Sequence, residues 1–159
     1  MRYYADAGSN HVFFINNSPV VTFLNGGNVG IGTGSPSYTL QVNGSVAGTS
    51  AYVNLSDKRY KQNISPITNA LSKVEQLDGV MFDWNKNIDK TLKLDDKRHL
   101  GVLAQDVEKI VPEVVSTEAN GRKSVAYTDL VPLLIEAIKE QQNQINDLQQ
   151  QVKQLSKQP

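Results

Sequence analysis

The spacing of apolar positions divides the chain into three stretches with different periods. In residues 1–55, short β-branched and aromatic runs alternate with Asn- and Gly-rich turns, which is typical of a β-meander. Residues 56–128 mix helical and strand spacing, and residues 129–159 follow a heptad repeat. The pattern therefore predicts an α+β chain with a short-stranded β-rich segment, a small mixed domain and a long C-terminal coiled-coil helix.

The β-rich stretch predicts four short strands closed by turns. Glycine recurs at Gly30 and Gly32, a spacing that suits close approach between backbones. Strands of this length bury little surface, so we do not expect this stretch to fold alone as a monomer. The predicted strands are residues 11–15, 20–24, 29–33 and 38–42.

The mixed stretch predicts alternating helices and strands. Apolar residues at intervals of three and four predict a helix over 64–77, with Pro66 in its first turn and Gly79 after its end. Asn120-Gly121 predicts a hairpin turn. The remaining predicted elements are strands at 80–84 and 99–104 and a short helix at 105–110, ended by the following proline.

The C-terminal stretch predicts a helix that begins at Thr128-Asp129, with Pro132 in its first turn. Its narrow apolar seam and flanking glutamines favour self-association, although the heptads alone leave the number of strands open. An alternative is a helix packed on its own domain, since Leu130, Leu133 and Ile135 widen the apolar face. The a positions are Val131, Ile138, Ile145 and Val152, and the d positions are Leu134, Gln141, Leu148 and Leu155.

Composition narrows the possible functions. Sixteen basic residues balance sixteen acidic ones, so charge gives no case for binding nucleic acid or an anionic membrane. The absence of cysteine excludes disulfides and thiolate metal sites, and His11 and His99 are far apart, so we expect no metal and no cofactor. We also expect no membrane span and no signal peptide, since no apolar run has the required length.

The junction of the first two stretches holds a serine and a lysine five residues apart, Ser56 and Lys61. Such a pair can cleave a peptide when a neutral amine takes the serine proton. Only about one free lysine in 2,500 is neutral at pH 7, a penalty of roughly 4.6 kcal/mol. Burial or a cation from Lys58 or Arg59 would reduce that penalty. A plain polar linker is the alternative interpretation.

Three motifs in the order of the chain resemble the peptidase S74 family, the C-terminal intramolecular chaperone domains of phage tail spikes and endosialidases. They are SDKRYKQNI at 56–64, HLGVLAQDV at 99–107, and YTDLVPLL at 127–134 followed by the heptads. Upstream, residues 27–33 and 40–44 resemble the fibre repeat that commonly precedes such domains. The resemblance covers residues 56–155.

The resemblance implies a homotrimer that helps its own upstream fibre to fold and then cuts itself at Leu55–Ser56. Ser56 matches the family's nucleophile and Lys61 its general base. His99 matches an assisting histidine of some members, and Gln105 a frequent glutamine for which hydrogen bonding at a helix start is the alternative. We expect Asp57 and Asn63 to cap the turn and the following helix. The implied location is a phage tail fibre or spike precursor in the bacterial cytoplasm, or a prophage-encoded fibre.

Two other functions stay open at this point. The first is a trimerisation cap that never cleaves. The second is a receptor- or glycan-binding fibre tip, for which Tyr3, Tyr4, Phe13 and Phe14 would form the surface. Packing of these four aromatic residues in a small β core is the competing expectation.

Overall fold

The computed structural model describes residues 9–50 and 52–156, which fall into two compact units. The first unit comprises the chain up to Asn54 together with Asp83–Arg98. The second takes Leu55–Phe82 and the chain from His99 onward. The chain therefore enters the second unit at Leu55, leaves it after Phe82 and returns to it at His99.

A four-stranded sheet forms most of the first unit. The strands pair in chain order, with β1–β2 and β2–β3 antiparallel and β3–β4 parallel. The parallel pair corrects the predicted meander, because residues 32–39 carry the chain back to the start of β3 before β4 begins. Asn16 and Asn17 take positive φ angles of 48° and 62° in the tight β1–β2 turn. The strands are β1 His11–Ile15, β2 Ser18–Phe23, β3 Val29–Ile31 and β4 Leu40–Val42.

This sheet buries little apolar surface within one chain. Phe13 and Phe14 are each 61% exposed, so the expected packing of these rings in a β core is not found. Phe13 meets Phe23 edge to face, at 6.4 Å between ring centroids. Tyr3 and Tyr4 lie outside the described residues. That this segment does not fold alone as a monomer stays a prediction.

Gly30 is in close contact with the turn that follows its own strand, whereas the predicted close approach between strands or chains at Gly30 and Gly32 stays a prediction. Gly30 is buried, and a Cβ added there would lie 2.5 Å from the carbonyl oxygen of Thr33. Gly32 has a φ of 70°, which favours glycine over residues with a side chain.

Among its described residues, the second unit holds three helices, two two-stranded ribbons and three 3₁₀ turns. Its core lies where α1, α2 and α3 meet, and it contains Ala70, Val107 and Leu133. The ribbons are β5 Val80–Phe82 with β6 His99–Gly101, and β7 Val115–Thr117 with β8 Lys123–Val125, both antiparallel. The helices are α1 Ala70–Glu75, α2 Ala104–Ile110 and α3 Val131–Leu155, and the 3₁₀ turns are Lys58–Tyr60, Pro112–Val114 and Tyr127–Leu130.

The first helix is much shorter than its apolar spacing predicts. Asn69 sits in the left-handed region with a φ of 54°, which stops the helix from extending toward Pro66. The α1 backbone amides of Ala70 and Leu71 instead donate to the carboxylate of Glu140, at 3.0 and 2.8 Å. A side chain of α3 therefore caps α1, and Pro66 is not in a helical turn.

The last helix presents two different apolar faces. Leu133 and Ala137 are buried in the core of the unit, whereas Ile138 is 64% and Leu148 is 59% exposed. The helix begins at Val131, with Pro132 in its first turn as predicted, but Thr128 and Asp129 belong to the preceding 3₁₀ turn. Within residues 9–50 and 52–156, no helix is long and apolar enough to cross a membrane.

Candidate active site

Ser56 and Lys61 are in direct contact. The Lys61 Nζ lies 2.8 Å from the Ser56 Oγ, and both side chains are exposed. Residues 52–57, which include the Leu55–Ser56 bond, form no helix or strand, and Leu55 is 75% exposed. A neutral Lys61 amine at this distance is within reach of the serine proton.

A single 3₁₀ turn brings the lysine back to the serine. Asp57 caps the turn, because its Oδ1 accepts the backbone N–H of Arg59 at 2.9 Å. The N–H of Lys61 closes the turn on the carbonyl oxygen of Lys58 at 3.1 Å. The predicted cap at Asp57 is therefore confirmed. The predicted helix cap at Asn63 is wrong, because Asn63 takes a φ of 54° well before α1 begins.

Arg59 is bound to the same carboxylate. Its Nη2 donates to the Oδ2 of Asp57 at 2.6 Å, and its Nε donates to both carboxylate oxygens. These bonds from the Arg59 side chain, followed by the backbone bond, lower the pKa of Asp57 below its ordinary value. Because the guanidinium charge is compensated by Asp57, Arg59 is poorly placed to supply the cation expected beside Lys61.

The two assisting candidates lie on other elements of the same unit. His99 opens β6, and its ring stacks on Phe82 with 5.4 Å between centroids. Gln105 lies in the first turn of α2 with an exposed side chain. Their predicted roles in the reaction stay predictions.

One contact that sequence reasoning missed joins the second and third motifs. The hydroxyl oxygen of Tyr127 accepts the backbone N–H of Val102 at 3.1 Å. A Cβ at Gly101 would lie 2.6 Å from that oxygen, so only glycine lets the tyrosine approach. The glycine within HLGVLAQDV was the available signal, since a glycine inside a strand often marks close approach.

Comparison with known proteins identifies the mixed domain. The family model Peptidase_S74, described as chaperone of endosialidase, matches residues 56–116. Residues 56–116 are therefore similar to this family. The match begins at Ser56 and confirms the resemblance to peptidase S74 for the motifs at 56–64 and 99–107. The motif at 127–134 lies beyond the matched residues, so its resemblance stays a prediction.

Relatives of the chain include long tail fiber proteins of phages. Gp37 of Enterobacteria phage K3 is 34% identical over 98 residues, which cover 59% of this chain and 8% of that protein. Gp37 of Enterobacteria phage M1 is 37% identical over 97 residues, or 58% of this chain and 38% of that protein. Gp37 of Salmonella phage S16 is 27% identical over 103 residues, which cover 63% of this chain and 14% of that protein. The stretch that aligns with this chain therefore spans between 8% and 38% of the length of these relatives.

Proposed function

We propose that this chain ends a phage tail fibre, and that its endosialidase-chaperone domain assists folding of the fibre and then cuts itself free at Leu55–Ser56. The contact of 2.8 Å between Lys61 Nζ and Ser56 Oγ carries the proposal. Two further observations support it. The scissile bond lies in an exposed segment without regular structure, and the boundary between the two compact units falls one residue earlier, after Asn54.

The proposed reaction is a transfer of the Leu55 acyl group to the serine. The neutral Lys61 amine accepts the hydroxyl proton while Ser56 Oγ attacks the carbonyl carbon of Leu55. The C–N bond breaks, the nitrogen of Ser56 takes up the proton, and an ester now joins Leu55 to Ser56 Oγ. Water then hydrolyses the ester, leaving a carboxylate on Leu55 and a chain that begins with the free amine of Ser56.

Assembly is proposed to run through the exposed seam of α3. The apolar a and d residues on that face are between 42% and 67% exposed, and Ile145, Leu148 and Val152 lie next to one another on the helix surface. Burying such a seam against copies of the same helix stabilises a coiled coil. We propose a homotrimer, in which the helices bring three fibre segments to a high local concentration.

Self-cleavage predicts two fragments in freshly folded protein, and two substitutions should abolish it. Ser56→Ala removes the nucleophile and Lys61→Ala removes the base, so each should slow the cut by about a hundredfold or more. Intact-mass measurement follows the fragments that end at Leu55 and begin at Ser56. Neither residue lies on the seam, so light scattering should show an unchanged oligomer.

Ser65→Ala and Lys109→Ala are the matched controls, because each removes an exposed residue of the same type elsewhere in the unit. They should cut at the wild-type rate. A Lys61→Ala protein that also cuts at that rate would remove Lys61 as the base. An assembled wild-type protein that stays intact for days would instead identify a trimerisation cap that does not cleave.

Hydroxylamine tests the ester route separately. It attacks esters but not ordinary peptide bonds under mild conditions, so trapping the intermediate leaves a hydroxamate on Leu55. Mass spectrometry distinguishes this product from the carboxylate. Cleavage that yields only the carboxylate at high hydroxylamine would favour direct attack by water on the peptide bond.

A further inference from the structure

The loop between β5 and β6 belongs to the β-rich unit although both strands belong to the other unit. Asp83–Arg98 groups with the chain up to Asn54, and the loop is long for the connection of a two-stranded ribbon. It lies on the C-terminal side of the proposed cut. A cut at Leu55–Ser56 therefore leaves a piece of the C-terminal fragment folded with the N-terminal one.

The contact is made by the side-chain amide of Asn43, the residue after β4. Its Nδ2 donates to the carbonyl oxygen of Thr91 at 2.7 Å, and its Oδ1 accepts the N–H of Lys93 at 2.9 Å. The Nδ2 also donates to the carbonyl oxygen of Gly32 at 3.1 Å. One amide therefore binds two backbone groups of the loop while it is fixed to β3.

The Asn43 contact depends on the folded sheet. The N–H of Asn43 bonds the carbonyl oxygen of Ile31, which places its side chain beside the end of β3. Gly32 carries a positive φ there, and a Cβ on it would lie 3.5 Å from the Nζ of Lys93. Because β3 and β4 must be paired to hold Asn43 in place, the loop binds the sheet only in its folded form.

The loop is itself held in shape by local bonds. Ion pairs join Asp83 to Arg98 at 2.8 Å and Lys86 to Asp96. The remaining turns are closed by side-chain oxygens that accept backbone N–H groups two residues later, at Asn85, Asp89 and Asp95. A loop ordered in this way loses less conformational entropy when it binds.

We propose that residues 83–98 are a noncovalent tether that keeps the C-terminal fragment bound to the folded sheet after the Leu55–Ser56 bond is cut. The partner of the loop is the end of the β3–β4 pair, recognised through the amide of Asn43. Cutting and release are then two separate events, and release requires the loop to leave the sheet. The inference rests on the proposed function only in assuming that the protein itself cuts the Leu55–Ser56 bond. The contact between the loop and the sheet does not depend on that cut.

The test makes the cut with an added enzyme, so that it does not depend on self-cleavage. A specific protease sequence is inserted between Asn54 and Leu55 in the Ser56→Ala protein, and the digested sample is run on a sizing column under native conditions. The two fragments should elute together. With Asn43→Asp they should separate, because a carboxylate cannot donate to Thr91 or Gly32.

Asn10→Asp is the matched control. It makes the same change in the same unit, but the Oδ1 of Asn10 only accepts the N–H of Asn25 at 2.9 Å, which a carboxylate also does. Lys93→Pro removes the loop's donor without altering the sheet, and it should also release the fragments. Separation of the unsubstituted fragments would overturn the tether, as would co-elution with both Asn43→Asp and Lys93→Pro.

Discussion

Lys61 reaches Ser56 because a single carboxylate organises the residues between them. Asp57 accepts the backbone N–H of Arg59 and also binds the Arg59 guanidinium, so the cap and the ion pair hold the same turn. The Arg59 bonds lower the pKa of Asp57, which therefore stays ionised into acid solution. The Arg59 side chain is exposed and Asp57 is half-buried, so water screens the pair, which holds the turn in shape more than it stabilises the fold.

Asp57→Ala should slow cleavage several-fold while leaving the melting temperature almost unchanged. Without the cap, the turn opens in part of the population and the Lys61 amine leaves the hydroxyl. Asp57→Asn keeps an oxygen that accepts the Arg59 N–H, so it should restore most of the rate. Timed gels and thermal melts measure both quantities, with Asp78→Ala as an exposed control. Equal rates for Asp57→Ala and wild type would show that the turn closes without its cap.

At the scale of elements, the most informative contact is between α1 and α3. Glu140 accepts two backbone N–H groups at the start of α1, and these bonds, first to Leu71 and then to Ala70, lower its pKa. Glu140 occupies a heptad c position, away from the seam. The helix that carries the proposed assembly seam is thereby hydrogen-bonded to the start of α1 in the second unit.

Glu140→Gln should lower the melting temperature at neutral pH, because an amide accepts these N–H groups more weakly than a carboxylate. A carboxylate whose folded pKa is depressed stabilises the fold above its unfolded pKa and loses that effect as the pH falls through the folded value. The difference in melting temperature between wild type and Glu140→Gln should therefore shrink as the pH falls below 4.5, the ordinary pKa of a glutamate. Thermal melts across this range measure it.

Glu136→Gln is the control for this experiment, since it removes only an exposed pair with Lys139 one turn earlier. Its melting temperature should stay near that of wild type at every pH. If the difference in melting temperature between wild type and Glu140→Gln stays constant down to strongly acid solution, the carboxylate charge does not stabilise α1.

Sequence signals close to an element predicted the elements that depend on local bonds. They failed for elements whose bounds or pairing depend on residues distant in the sequence. The Asn120-Gly121 hairpin, the proline after the end of α2 and the proline at the start of α3 are local signals, and each of these elements was predicted. The short α1 was not, because its start is set by a glutamate seventy residues away. The parallel β3–β4 pair was missed for a similar reason, since neither strand's own pattern specifies its partner's direction.

The same distinction between local and distant contacts applies to the functional residues. Ser56, Lys61 and the Asp57 cap lie within six residues, so the motif already held the contact that the structure shows. The tether was not predictable, since Asn43 and Thr91 are 48 positions apart and the contact is made through backbone groups of the loop. A contact made to backbone groups does not require particular residue types in the loop, so the sequence does not reveal it.

At the scale of the whole molecule, two apolar surfaces are exposed among residues 9–50 and 52–156. The sheet exposes Phe13, Phe14 and Ile15, and α3 exposes its seam. Coverage of both by copies of the same chain would couple folding of the fibre segment to assembly of the helices. The Ser56–Lys61 pair is also exposed in the single chain, so assembly is our proposed means of removing water from it.

Cleavage should therefore require the oligomer. Ile145→Asp with Leu148→Asp places two charges on the seam, and each costs several kcal/mol if it stays buried without a partner. The double variant should be monomeric and uncut although Ser56 and Lys61 are unchanged. Light scattering and a denaturing gel on the same sample give both results.

The control is Asn143→Asp with Gln150→Asp, which adds the same two charges at exposed f positions of the helix. This protein should assemble and cut at the wild-type rate, because its charges stay in water. A monomeric seam variant that cuts normally would show that one chain contains the complete site. The exposed pair of Ser56 and Lys61 would then react without help from a neighbouring copy, and assembly would control folding of the fibre but not the timing of the cut.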